Sequence, residues 1–137
     1  MMKNFHENDI LIIEDSDATA ILISDYLKKL NYKKIHTCND GKTGMSKFVA
    51  LHNSNILPLV FLDYYLPSTD TISLFNRLLK IEPETKIIIA TVAEKDEYGI
   101  KYLTQHGAYH YLQKPISFEN VKEVMETFEK EQAMLRK

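Results

Sequence analysis

Short apolar runs alternate with longer stretches of helical spacing along the whole chain, and this alternation limits the fold more than any other feature. The runs DILII, KKIHTC, PLVFL, TKIIIA and AYHYL read as five strands. Ala20, Ile23, Leu27 and Leu30 recur at helical steps after the first run, and Met45, Phe48 and Val49 follow the NDG turn after the second. Ile72, Phe75, Leu78 and Leu79 predict a third helix, and Ile100 and Leu103 a fourth that Gly107 stops as a left-handed residue. Ser117 caps a fifth, with Val121, Val124, Phe128 and Leu135 as its inner stripe.

Strands that are apolar throughout, such as LVFL and IIIA, need cover on both faces. Alternating with helices, they predict a doubly wound, three-layer α/β domain around a five-stranded parallel sheet. Right-handed crossovers put every strand's C-terminal end on one edge, where such folds bind ligands.

Composition excludes several classes. With 137 residues, 45% hydrophobic and 26% charged, the chain suits one globular domain spanning 1–137. A net charge of −2 does not suggest a nucleic-acid binder. One cysteine, Cys38, allows neither an internal disulfide nor a cysteine-based metal site. No apolar stretch is long enough to span a membrane and MMKNFHEND has no signal-peptide core, so a soluble cytoplasmic protein is expected.

Glu14 and Asp15 follow the first strand, Asp63 the third, Thr91 the fourth and Lys114 the fifth. Each has a plainer role available. Asp15 with Ser16 and Asp17 suits a helix cap, Asp63 a turn, Thr91 a strand and Lys114 the surface. Together they bring three carboxylates, a hydroxyl and an ammonium to one edge. Crowded carboxylates repel unless a cation joins them, and Mg²⁺ takes a couple of carboxylates plus waters and leaves room for phosphate oxygens. A carboxylate can attack phosphorus, and an ammonium and a hydroxyl can hold the new phosphoryl oxygens. The pattern predicts a phosphoryl-acceptor site.

The pieces LIIEDS, FLDYYLP, IIIATVA and GAYHYLQKP resemble the receiver domain of response regulators, from about Asp9 to Leu135. The likeness is to single-domain, chemotaxis-regulator-like receivers of flavodoxin-like (βα)5 fold, with strand order 2-1-3-4-5. It implies Asp63 as phosphoacceptor, with Mg²⁺ or Mn²⁺ held by Glu14, Asp15, Asp63 and the backbone carbonyl of Tyr65. It further implies Thr91 and Tyr111 as the switch pair, Lys114 as the phosphoryl-binding cation and a cis peptide before Pro115. A sensor histidine kinase or histidine phosphotransferase would be the donor. A downstream protein or a second copy of the chain would be the receiver of the signal, with no nucleic acid or membrane contacted directly.

Tyr98, Tyr102 and Tyr111, with Lys122, Glu126 and Glu129 on the outer side of the fifth helix, mark the expected docking face. Tyr65 and Ala93 stand where receivers tune hydrolysis. Tyr65 is expected to point to the open rim with Ala93 facing it, and Val92 to add bulk.

Three positions depart from the family pattern. Glu14 replaces the commoner Asp, Thr71 stands where Gly is usual, and Val92 where a small residue is favoured. Thr71 is expected to alter the loop, because Gly accepts a positive φ and Thr does not.

Other readings fit less well. A haloacid-dehalogenase-type phosphatase needs a second acid two residues after the nucleophile, where Tyr65 stands; a dinucleotide-binding domain needs glycines that EDSDAT lacks. The alternative to a phosphorylated switch is a pseudo-receiver that only docks, against which the full set of chemical residues weighs. His106 and His110, four apart, straddle Gly107 and should point apart; Met45, Met125 and Met134 read as packing residues.

Overall fold

In the computed structural model, residues 6–94 and 97–135 are described. Five strands and five helices alternate: β1 Ile10–Ile13, α1 Asp17–Lys29, β2 Ile35–Cys38, α2 Gly41–Asn53, β3 Leu59–Leu62, α3 Thr71–Ile81, β4 Ile87–Thr91, α4 Tyr98–Gln105, β5 His110–Gln113 and α5 Phe118–Leu135. All strand pairs are parallel and the order is β2-β1-β3-β4-β5. This is the flavodoxin-like (βα)5 arrangement.

The three central strands β1, β3 and β4 are buried at every residue, which explains their unbroken apolar runs. The edge strands β2 and β5 are only partly buried. Alternate side chains divide the core. Ile10, Ile12, Phe61, Ile88 and Ala90 pack against α1 and α5, while Leu11, Ile13, Val60, Leu62, Ile87 and Ile89 pack against α2, α3 and α4.

Helix starts follow short polar side chains. Ser16, Asp40 and Asp70 cap α1, α2 and α3 by accepting from the backbone N–H three residues on, and Ser117 Oγ accepts from Asn120 N at 3.1 Å. Ser16 rather than Asp15 therefore caps α1, which leaves Asp15 at the sheet edge. Gly107 has φ 110° and follows the last residues of α4, as its spacing predicts. The peptide between Lys114 and Pro115 is cis.

Some inner stripes differ from the sequence reading. Val49 is exposed and Leu51 is buried in its place; Leu74 is buried where Ile72 and Leu79 are only partly so. On α5, Met125 is buried, whereas Met134 and Leu135 are 72% and 77% exposed, because the helix runs on past the sheet it covers. No helix among the described residues is long and apolar enough to cross a membrane.

Candidate functional site

The site is built at the C-terminal edge of β1, β3, β4 and β5. Backbone bonds extend the ladder one residue beyond the strands: Glu14 N–H donates to Cys38 O (3.0 Å), Asp63 N–H to Ile13 O (3.0 Å) and Lys114 N–H to Thr91 O (2.8 Å). These bonds fix the main chain of each chemical residue against its neighbour strand.

Glu14, Asp15 and Asp63 each offer a carboxylate oxygen, and these atoms lie within 4.8 Å of one another. Glu14 and Asp63 are buried, at 2% and 4% exposure, while Asp15 is exposed. Lys114 Nζ stands 2.8 Å from Glu14 Oε1 and 3.3 Å from Asp63 Oδ2. Burial would lower the Lys114 ammonium, but the Glu14 and Asp63 carboxylates outweigh it and hold its pKa above the ordinary value. The Glu14 carboxyl is pushed up to about 7, chiefly by burial, with Asp63 adding to the rise and Lys114 and the Ser16 N–H opposing it.

These residues suit a hard divalent cation. Glu14 Oε1 is buried and makes no aligned hydrogen bond, although Lys114 lies at ion-pair distance. Its other oxygen accepts from Ser16 N–H at 3.1 Å. A buried oxygen left over in a cluster of three carboxylates is a donor set for Mg²⁺ or Mn²⁺.

Thr91 ends β4 with no exposed surface, and its Oγ1 accepts from Ala93 N–H at 3.3 Å. The hydroxyl oxygen thus accepts within its own loop, which leaves the hydroxyl proton to donate elsewhere. The partly buried Tyr111 donates its hydroxyl to Ala93 O. Burial, with Glu94 and Glu97 nearby, raises the Tyr111 phenol.

Tyr65 N–H donates to Asp63 Oδ1 at 3.1 Å, and the residue is 49% exposed. Ala93 is buried, in the core layer with residues of α3 and α4, whereas Val92 beside it is exposed. Thr71 adopts no positive φ, a conformation that falls instead on Ser68 at 54°. The Thr71 hydroxyl donates to Tyr64 O at 2.6 Å, so threonine braces this loop rather than distorting it.

On the expected docking face, Tyr98 is 82% exposed and Glu126 is exposed, but Glu129 is half-buried and accepts from Tyr32 Oη. Glu129 therefore ties α5 to the α1–β2 connection and is not an outward residue. Tyr102 Oη accepts from Asn76 Nδ2 at 3.1 Å and its ring stacks on His106. His106 turns back to Tyr102 O, and among the described residues no metal-ligating cluster includes His106 or His110.

Sequence reasoning passed over Tyr64, Glu97 and Gly99. Tyr65 Oη donates to the Glu97 carboxylate, whose two oxygens both lie 3.0 Å away. The Tyr64 hydroxyl occupies the space above Gly99 where a Cβ would stand. Nothing in the local pattern announces either contact.

The family model of the response regulator receiver domain matches residues 10–126. The chain belongs to this family. A curated relative, chemotaxis protein CheY of Treponema pallidum, is 29% identical over 114 residues, spanning 83% of this chain and 77% of the relative. Other curated relatives are longer, and the chain spans about half of their length. Among solved structures, a receiver domain from Clostridium thermocellum superposes with a TM-score of 0.79 at 22% identity, covering 93% of this chain and 98% of that one. A CheX–CheY–BeF3–Mg²⁺ complex from Borrelia burgdorferi gives 0.78 at 22% identity, over 88% of each chain. At such identities the two structures speak for the fold.

Proposed function

We propose that this receiver domain, read as one domain over 1–137, is a phosphorylation-controlled switch whose acceptor is Asp63. The observation that carries the reading is the convergence at one sheet edge of carboxylate oxygens of Glu14, Asp15 and Asp63 within 4.8 Å of one another, with Lys114 paired to Glu14 and Asp63. A carboxylate oxygen of Asp63 attacks the phosphorus of a phosphohistidine on a sensor kinase or phosphotransferase. The P–O bond forms, the P–N bond breaks, and its electron pair stays on the donor imidazole. Lys114 balances charge on the new phosphoryl oxygens, and the Thr91 hydroxyl leaves Ala93 N–H to join them. Glu14, Asp15, Asp63 and the Tyr65 carbonyl would hold Mg²⁺, which would supply positive charge to offset the carboxylates and the phosphoryl group. Water later attacks phosphorus and the bond to Asp63 breaks, releasing phosphate. The domain acts only on its own aspartate, not on a stream of substrates.

Movement of Thr91 toward the phosphoryl group frees the β4–α4 connection, and Tyr111, bonded to Ala93 O, follows. The surface of α4, β5 and α5 then shifts between two populations, one of which binds a downstream protein or a second copy of the chain. This switching is expected in the cytoplasm. The acyl-phosphate mimic beryllofluoride tests the reading: binding only with Mg²⁺ supports it, and no binding at any metal concentration favours a docking module that is never phosphorylated.

A further inference from the structure

The side chain of Glu97 is engaged unlike its counterparts at the other helix starts. It occupies the N-cap of α4, but its side chain makes no cap bond, whereas Ser16, Asp40 and Asp70 each cap their own helix. The carboxylate instead accepts from the Tyr65 hydroxyl, with both oxygens at 3.0 Å, across 32 positions of sequence. Tyr65 is thereby fixed at two ends, its N–H on Asp63 Oδ1 at 3.1 Å and its phenol on Glu97.

Two further tyrosines grip the same connection. Tyr64 packs edge-on against Tyr65, with ring centroids 4.9 Å apart, and reaches over α4 so closely that a Cβ at Gly99 would stand 1.9 Å from its hydroxyl. Tyr111 holds Ala93 O. The β4–α4 connection is therefore held at Ala93 and Glu97 and the first turn of α4 at Gly99, and two of those three contacts come from the residues just after Asp63. A phenol released from Glu97 would regain its rotamers, and a swinging ring screens a neighbouring carboxylate less than a fixed one.

We propose that Glu97 is a positioning residue for the phosphoryl site: it holds the Tyr65 ring beside Asp63 and so lengthens the life of the aspartyl phosphate. The inference rests on Asp63 being the phosphoacceptor. Load wild type, Glu97→Ala, Glu97→Gln, Tyr65→Phe and the Tyr65→Phe/Glu97→Ala double variant with acetyl phosphate and Mg²⁺. Remove the donor, then follow loss of the adduct by intact mass. Decay about threefold faster is expected in Glu97→Ala and in Tyr65→Phe, the size set by one hydrogen bond. The double variant should decay no faster than either single one, and Glu97→Gln, whose amide oxygen still accepts the phenol proton, should stay near wild type. A general loosening of the fold would not give that pattern. Unchanged decay in Glu97→Ala, multiplying effects in the double variant, or a Glu97→Gln as fast as Glu97→Ala overturns the inference while leaving Asp63 as acceptor. A wild type that never takes up phosphate overturns both.

Discussion

Lys114 Nζ lies 2.8 Å from Oε1 of Glu14, a carboxylate only 2% exposed. Even with that cation beside it, burial keeps the Glu14 carboxyl at about 7, above the ordinary 4.5. The folded state thus holds this proton more tightly than the unfolded chain does. In metal-free protein the associated stability is fully present below about pH 4.5 and is lost as the pH climbs through about 7. Mg²⁺ must displace the same proton, so its affinity should rise roughly tenfold between pH 6 and pH 8. Glu14→Gln should flatten this dependence and make metal-free protein more stable at pH 8. Calorimetric titration at the two pH values checks it, and equal wild-type affinities would contradict it.

Thr71 opens α3, is 5% exposed and donates to Tyr64 O at 2.6 Å. Thr71→Gly restores the residue usual in the family but removes this brace and adds backbone freedom to a helical position. It should cost about 1.3 kcal/mol, about 1 from the hydrogen bond and a few tenths from replacing threonine by glycine in a helix. Urea unfolding gives the number; a variant as stable as wild type would mean the bond contributes nothing.

Tyr65 places a large ring, not an amide or a carboxylate, two residues after Asp63. Such a ring offers the attacking water no carbonyl or acid partner. Tyr65→Asn should speed loss of the phosphoryl group by about tenfold, about 1.4 kcal/mol of barrier. Phosphate decay after donor removal measures it; equal or slower loss in the Asn variant would show that the ring is not the gate.

The eight-residue α4 lacks a side-chain cap of its own and leans on the loop after Asp63 through Tyr64 and Tyr65. It should respond first when Asp63 is occupied. With beryllofluoride and Mg²⁺, amide exchange is expected to change in α4 and β5. Changes confined to α1 and α2 would place the switch elsewhere.

What the sequence made legible follows from burial. LVFL and IIIA are unbroken apolar runs because β3 and β4 are covered on both faces, so their place in the sheet could be read directly. Glu14 and Asp63 were legible for the same reason, since a polar residue directly after such a run must sit at the sheet edge, whereas Lys114, after the mixed edge strand β5, was legible chiefly through the family likeness. Helix faces were harder. Val49 and Leu51 each lie a helical step from an earlier core residue, Met45 or Phe48, and nothing local decides between them or shows where α5 outruns the sheet and exposes Leu135. The Tyr65–Glu97 bond was invisible because it depends on the paths of two loops, and loops carry no periodicity.

The central claim is that Asp63 takes up a phosphoryl group. Incubation with acetyl phosphate and Mg²⁺, followed by intact-mass measurement of wild type and Asp63→Asn, tests it most directly. One phosphate adduct on wild type, lost on chelation of the metal before loading and absent from Asp63→Asn, is the predicted result. An adduct that persists in Asp63→Asn, or none on wild type at any Mg²⁺ concentration, would contradict it.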